Sequence, residues 1–391
     1  MIPFDQAYAT MMRSAKALPI ETTPLAESVG RVLAKTIYSD IDMPPFNKSA
    51  MDGFACRRED LEQNLTQIEL IPAGKWPEKP LGPGECARIM TGAPLPHGAD
   101  CVFILEESET LADGSIRFTG KHTPSNFCLK GEDIQNGSDV LPAGTLLRPA
   151  HLAVLATVGQ TSVPVYQRPR VGMIATGSEL VSPNTSPQHA QIRNSNSSQL
   201  CAQIRAIGAI ATDYGVAHDT FEATCALITQ AKEANHVVVL SGGASSGDFD
   251  FVPASLRHCG FQLDFDSIAM QPGRPTLFGH QTASWCFGLP GNPVSTFVIF
   301  ESMLVPFLYQ LMGHTYQPRI VELELVETIR RRRANRQSTL PVRLVSPSKI
   351  APIDYHGSAH IHAMTQADAL ITLPIDCYEI QAGTKVHARL L

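Results

Sequence analysis

Residues 236–252 read HVVVLSGGASSGDFDFV. A short apolar, β-branched run, Val237 to Leu240, breaks into Ser241, Gly242, Gly243, Ala244, Ser245, Ser246 and Gly247, with Asp248 and Asp250 close behind. A run of that length and composition suits a buried strand of a parallel sheet. Small residues at its C-terminal end let the backbone curve tightly and turn N–H groups toward an anion. Carboxylates beside such a loop would repel a bare phosphate, but they suit one that shares a divalent cation with them. Two readings stand on this stretch alone. One is a metal-assisted site for a phosphorylated ligand; the other is an ordinary strand-to-helix turn rich in small residues.

The flanking sequence alternates strands with helices. Val171 to Ala175 reads as a strand ending in Thr176, Gly177, Ser178 and Glu179. Leu200, Ile204 and Ile207 share one helical face, and Asn194 to Ser198 supplies capping side chains before them. Ala209 to Val216 returns as a strand toward His218–Asp219, and Thr220 to Glu233 forms the next helix. Trp285 to Gly288 then runs into LPGNP, with Pro293 in the first turn of an apolar helix to about Met312. This is a βαβ series, which implies a mostly parallel sheet with helices on both faces. Ligands of such sheets bind beyond the carboxyl ends of the strands. The rule gathers Glu179, Asp219, Asp248 and Asp250 onto one rim and favours the metal and phosphate reading. No G-x-G-x-x-G follows a strand and no G-x-x-x-x-G-K-[ST] occurs, which argues against dinucleotide dehydrogenases and P-loop enzymes.

Composition narrows the class. The 391 residues are 43% hydrophobic and 17% charged, as in an ordinary globular protein with room for several cores. A net charge of −6 argues against a sequence-independent nucleic-acid binder. The basic cluster of Arg330 to Arg333 with Arg336 reads as a solvated face. Nine cysteines without a C-x-x-C pair speak against a zinc site or a disulfide framework and suit a reducing compartment. The N-terminus, MIPFDQAYAT, lacks the character of a secretory signal, and no apolar run is expected to approach the roughly 20 residues that span a bilayer. The expectation is a soluble, cytoplasmic protein without nucleic-acid or membrane partners.

Phe4, Ala7, Tyr8 and Met11 recur at helical spacing, and Pro24 to Leu33 offers a second short helix. In IDMPPFNKSAMDGFACRRED, Pro44 and Pro45 force an extended chain, and Asp52–Gly53 forms a turn into a strand. An Asp at such a turn caps its own backbone or serves a site, and the spacing leaves both open. Short strands at Gln67–Ile71, Glu85–Met90, Cys101–Leu105 and Ser115–Phe118 suggest a β-rich module over about 45–145. Within it, Thr91–Gly92 follows a strand and Glu132–Asp133 flanks a glycine turn. Arg148–Pro149 starts a helix through Val158. Residues 318–391 again show short β-like runs, which suggest a small β-barrel or sandwich. The divisions expected are 1–168, with its β-rich insertion, 169–316 for the α/β domain and 317–391 for the C-terminal one.

Eight motifs, PPFNKSAMDGFA, MTGAP, KGEDI, TGSEL, IRNSNS, SGGASSGDFDFV, PGRPTLFG and GLPGNPVS, occur in that order. The sequence thereby resembles the MoeA family, which includes the gephyrin E domain, from residue 2 to 390. The resemblance implies a multidomain α/β and β architecture: an elongated N-terminal region with an inserted β-rich module, a central molybdopterin-binding α/β sandwich and a C-terminal β-barrel. It implies a molybdopterin molybdenumtransferase, a homodimer whose sites are lined by the central domain of one subunit and N-terminal residues of the other. Such enzymes take adenylylated molybdopterin and molybdate, split the phosphoanhydride with a divalent cation, usually magnesium, and release molybdenum cofactor and AMP. A molybdopterin adenylyltransferase and apo-molybdoenzymes are the partners it points to.

Carried over motif by motif, the functional positions are Asp52, Thr91, Asp133, Glu179, Asp219, Asp250, Pro290 and Pro293. Asp52, Thr91, Asp133 and Glu179 are the expected catalytic set. Asp219 and Asp250, with Glu179, would hold magnesium, and Gly242, Gly243 and Ser245 would cradle phosphate. Arg274 of PGRP is the candidate molybdate contact, and Pro290 and Pro293 wall the pterin pocket. Some positions depart from the family pattern: Ser267 and Gln271 where lysines are frequent, Lys48 in place of Asn, and His362 and Ala363 where two serines are frequent. These bear on the choice between molybdate and tungstate. The alternative readings are a paralogue that inserts tungstate or hydrolyses another nucleotide-linked substrate, and a non-catalytic gephyrin-like scaffold.

Overall fold

The structure is a computed structural model and describes residues 1–243, 251–282, 284–354 and 357–391. The chain divides into two compact units. One comprises Met1–Ala34, Gly144–Arg148 and Val163–Leu391; the other comprises Lys35–Ala143 and Pro149–Ser162.

The first unit contains the α/β series. Its six-stranded sheet has the order 210–217, 170–176, 237–241, 285–289, 277–280, 262–265. The first four strands are mutually parallel. The last two, which the βαβ pattern does not anticipate, extend the sheet in antiparallel fashion. All five residues of Val237–Ser241 are buried. Their alternation divides them between two cores. Val237 and Val239 face helix Asn196–Ala206 and the apolar helix through Leu200, Ile204, Phe300 and Phe307. Val238 and Leu240 face helices Phe221–Ala234 and Val252–His258 through Ile228, Ala231 and Leu256. A strand buried on both faces has no use for polar residues, which is why this one reads as a continuous apolar run. Each fully buried side chain of this kind contributes about 1.5–3 kcal/mol.

The run Pro293–Leu311 is helical throughout and, at 19 residues, long and apolar enough to cross a bilayer. This corrects the expectation that no such run exists. It is packed as a core helix, with Val298, Phe300, Met303, Phe307 and Leu311 all buried. A π-helical turn at Phe300–Leu304 precedes Pro306. At the N-terminus, helix Phe4–Ser14 buries Ala7 and Met11 against the same core. Residues 24–33 correct another expectation: only Leu25–Glu27 makes a single 3₁₀ turn, after a strand at Ile20–Pro24. Val29, Val32 and Leu33 keep a helical spacing, but Gly30 at φ +75° turns the chain out of a helical path between them.

In the C-terminal part of this unit, strands 320–325, 385–390, 369–373, 337–346 and 349–352 pair in succession, and the last returns to the first. The result is a closed five-stranded barrel filled by Leu323, Leu325, Val342, Ile350, Ile371 and Leu373. Closure leaves no sheet edge to cover. Arg330 and Arg331 of the basic cluster are engaged there: Arg330 pairs with Glu379, and Arg331 donates to the carbonyls of Cys377, Pro374 and Arg336.

The second unit is the β-rich module. Its sheet runs 101–104, 53–56, 85–89, 64–71, 116–118, 108–110. Phe54 and Cys56 face one cluster with Leu65 and Phe103, while Ala55 faces the other with Ile71 and Ile89. Gly53 is required by space: a Cβ there would lie 2.0 Å from the Phe103 carbonyl oxygen. Helix Pro149–Thr157 also belongs to this unit.

Candidate functional site

In the α/β sheet, parallel register fixes where the loops emerge. Ala175 pairs with Ser241, Ser241 with Leu289, and Thr176 with Ala217. Four strands therefore end level, and their outgoing loops share one rim. A cavity of about 640 Å³ lies there, lined by Thr176, Gly177, Glu179, Asn196, Asp219, Gly242, Gly243 and the Pro290–Pro293 turn. Its size matches that of small-molecule sites generally.

Among the described residues, two carboxylates of this rim converge on one turn. Asp219 Oδ2 accepts the Ser178 N–H at 2.9 Å, and the Asp219 N–H donates to Ser178 Oγ at 3.1 Å. Glu179 folds back over Gly177, where a Cβ would lie 2.4 Å from its Oε2. Gly177 also has φ +142°. The sequence places an acid two residues past a glycine, and the glycine lets that acid lie against the backbone.

The glycine loop is equally determined. Gly242 has φ +97°, and a Cβ on it would lie 2.5 Å from the Thr176 carbonyl oxygen. Gly243 has φ +60°, and a Cβ on it would lie 2.8 Å from Thr176 Oγ1. Only glycine passes through this gap without displacing backbone. Pro293 opens the next helix, and Pro290 contributes its carbonyl to Thr296 Oγ1 at 2.7 Å. The barrel part of the same unit supplies a further wall: Asn292 Nδ2 donates to Ser358 Oγ at 2.9 Å, and Ala359 and Ile361 line the cavity.

Sequence alone presents Asn196 as part of a helix cap. Asn194 does cap, accepting the Ser197 N–H at 3.1 Å. Asn196 instead donates its Nδ2 to Ser241 Oγ and to the Gly291 carbonyl, both at 2.8 Å. A carbonyl only accepts, so the carboxamide orientation is chemically fixed. Asn196 Oδ1 and Thr176 Oγ1 are buried and have no hydrogen-bond partner among the described residues. Two buried oxygens of this kind lining one cavity mark a place where a ligand donor or a cation would be stabilised. The helical spacing of this segment carries no signal for such a role.

The donor set at the rim consists of carboxylate, hydroxyl and carboxamide oxygens, which suits a hard divalent cation such as magnesium. Among the described residues no group of three or more His, Cys, Asp or Glu assembles. Ser245, Asp248 and Asp250 lie outside the described residues. Arg274 is exposed; its neighbour Pro275, not Arg274, is among the cavity residues.

In the β-rich unit, Asp52 and Thr91 meet directly. Asp52 Oδ1 accepts both the Thr91 N–H at 2.6 Å and the Thr91 hydroxyl at 2.8 Å. The backbone hydrogen bond from Thr91, then its hydroxyl, with the Arg88 guanidinium in support, hold the Asp52 carboxyl below the usual carboxylate range. The Asp52 carbonyl also accepts the Leu105 N–H. Asp133 sits exposed in the turn after Gly131, its N–H donating to the Met43 carbonyl at 3.0 Å.

The chain matches three family descriptions in succession: MoeA N-terminal region (domain I and II) over residues 2–159, probable molybdopterin binding domain over 172–310, and MoeA C-terminal region (domain IV) over 327–391. It is 35% identical over 379 residues to the molybdopterin molybdenumtransferase of Staphylococcus epidermidis, covering 94% of this chain and 90% of that one. It is 34% identical over 406 residues to the protein of the same name from Bacillus subtilis, covering 100% and 94%. The crystal structure of the molybdopterin biosynthesis MoeA protein from Pyrococcus horikosii is similar over 100% of this chain and 99% of that one, with a TM-score of 0.84 at 32% identity.

Proposed function

The chain belongs to the MoeA family, and from that premise we propose that it acts in molybdenum cofactor biosynthesis as a molybdopterin molybdenumtransferase. Its substrates would be adenylylated molybdopterin and molybdate, and its products molybdenum cofactor and AMP. The observation that carries this reading is the rim cavity, where Glu179 and Asp219 stand beside two glycines of positive φ.

The phosphates seat against the backbone of Gly242 and Gly243, where no side chain intrudes. Glu179 and Asp219, with Asp250 as the family resemblance implies, would hold magnesium, which when bound would supply positive charge to offset that of the two phosphates. Asn196 Oδ1 and Thr176 Oγ1 present acceptors on the same side. The Pro290–Pro293 turn forms a rigid wall for the pterin, and Ser245 is the further phosphate contact that the family resemblance implies. In the hydrolytic step a water oxygen bonds to phosphorus as the bridging P–O bond breaks, and AMP leaves. Asp52 has one oxygen committed to Thr91 and a depressed pKa, so it is a poor base. Its role is to orient that water or the cation through the other oxygen. Arg274, which lies outside the cavity lining, would have to turn toward it to contact the molybdate oxyanion, and Asp133 would act alongside Asp52.

In this reading Asp52, Thr91 and Asp133 reach the rim from the second subunit of a homodimer. The protein works in the cytoplasm, in keeping with free thiols at all nine cysteines. It receives substrate from a molybdopterin adenylyltransferase and passes product to apo-molybdoenzymes. Incubation with adenylylated molybdopterin, magnesium and molybdate is expected to release AMP and yield material that activates an apo-molybdoenzyme. Hydrolysis of common dinucleotides with no AMP from adenylylated molybdopterin would overturn the reading. Tungstate in place of molybdate resolves the choice of oxyanion.

A further inference from the structure

The β-rich unit carries a groove remote in sequence from the rim residues and unused by the chemistry above. The chain has two tryptophans. Trp285 is 5% exposed in the core, whereas Trp76 is 67% exposed. Phe46 meets the Trp76 ring at 90° with centroids 5.6 Å apart, a contact that covers at most one indole face. Around them lies a cavity of about 690 Å³ whose walls are residues 45–47, 76–80 and 95–99, with Lys130.

These walls are fixed rather than draped. The Glu69 carboxylate, whose side chain is 7% exposed, accepts the N–H groups of Glu78 and Lys79 at 3.2 Å and so clamps the turn that bears Trp76. Asn47 ties the other two walls: its carbonyl accepts the Leu95 N–H at 2.8 Å and its Oδ1 the Lys130 N–H at 2.9 Å. Prolines 45, 77, 80 and 96 remove backbone donors and stiffen the lining. A hydrogen-bonded carboxylate, with the Lys75 ammonium 3.7 Å away, thus holds in place a tryptophan that stays exposed.

Charge selects the occupant. Lys79, Lys130 and His97 line the groove, and its one acid, Glu78, is paired with Lys75 at 3.1 Å. The Lys79 ammonium donates to the Ile68 carbonyl at 3.3 Å, and that of Lys130 lies 3.3 Å from Asp42. Each ammonium has three donors, so both retain capacity for an anion. Among the lining residues cations outnumber acids, in a chain of net charge −6. A proline-rich peptide would also meet an aromatic wall, but it would leave unanswered the Lys79 ammonium, which has no carboxylate partner among the described residues.

We propose that this groove binds a planar heteroaromatic anion, a purine or pteridine bearing phosphate or carboxylate, with the ring stacked on Trp76 and the anionic group held by Lys79 and Lys130. The site stands within the β-rich unit and does not depend on the reading of the rim. The test uses the full-length wild-type protein with ¹⁵N-labelled tryptophan, titrated with AMP and separately with pterin-6-carboxylate. The two indole signals are assigned from Trp76→Phe and Trp285→Phe. The Trp76 signal is expected to shift saturably while that of Trp285 stays still, and the tighter of the two ligands identifies the ring. Trp76→Ala should weaken binding about 10-fold or more, the scale of base–aromatic stacking, and Lys79→Ala or Lys130→Ala about 5-fold each. No shift at millimolar ligand would overturn the proposal. So would an equal response to inorganic phosphate alone, a response to a proline-rich peptide only, or a shift that follows protein concentration and assigns the face to a second copy.

Discussion

In the α/β unit, Glu179 leaves the end of a buried parallel strand and Asp219 that of the half-exposed edge strand beside it, and both are aimed by register: the strands stop level, so the loops beyond them must share a rim. In the β-rich unit, Asp52 precedes a strand of a mostly antiparallel sheet and is aimed by a single partner, Thr91. The first pair is placed by the fold and the second by a local hydrogen bond. A parallel sheet thus announces its site through topology, whereas the position of Asp52 depends on contacts that no periodicity encodes.

That contrast can be broken most forcefully at the rim. Asp219→Ala is expected to lower AMP release from adenylylated molybdopterin about 100- to 1000-fold, the scale of losing a transition-state electrostatic contact. Single-turnover AMP assays check it, and Glu179→Gln should fall in the same direction. Retention of full release by both would remove the rim from the chemistry.

The glycines sharpen the same contrast through stability. Gly242→Ala places a Cβ against the Thr176 carbonyl oxygen at positive φ, and backbone strain of this kind costs about 1–3 kcal/mol. Gly53→Ala meets the Phe103 carbonyl within a sheet instead, so it should loosen the β-rich unit around Asp52. Chemical denaturation of both variants, with proteolysis to locate the weakened unit, tests this. Thr91→Val removes one of the two hydrogen bonds on Asp52 Oδ1 while the backbone one remains. Turnover should drop about 10-fold, the lower end for one hydrogen bond to a charged group. Substrate binding should change less than turnover.

Sheet residues at the opposite end give the smallest effect. His236 Nδ1 accepts the Arg170 N–H at 3.0 Å where two central strands begin. Burial, and then the Arg170 charge, hold its imidazole pKa below the ordinary value. The folded state therefore resists protonation that the unfolded chain accepts. The contribution is fully present above the usual histidine pKa of about 6.5 and is lost as pH falls through the lower folded value. Melting temperatures of the wild type should fall more between pH 7 and pH 5 than those of His236→Gln.

Legibility in the chain divides along the same line. Val237–Leu240, Val171–Ala175 and Trp285–Gly288 read as strands because both their faces are buried, and their order gathers the rim. The antiparallel strands 262–265 and 277–280 escape notice, since QLDF and LFGH carry no period long enough to distinguish strand from loop. Short runs suggest the β-barrel, but its closure rests on the parallel return of Lys349–Ile350 to Glu324–Leu325, a long-range pairing that local sequence does not encode. Asn196 hides because a helix-capping Asn and a cavity-lining Asn look alike in sequence; two residues away, Asn194 fills the first role. Pro24–Leu33 misleads because a proline followed by apolar residues resembles a helix start, while the chain uses it for one turn.

The claim that joins the two regions is that rim carboxylates of one subunit work with Asp52 of the other. Co-expression of Asp52→Ala and Asp219→Ala chains under different tags, with isolation of the mixed dimer, tests it most directly. A site shared between subunits leaves one of the two sites of the mixed dimer intact, so AMP release should recover to about half that of the wild type. A mixed dimer as inactive as either parent variant would contradict the claim.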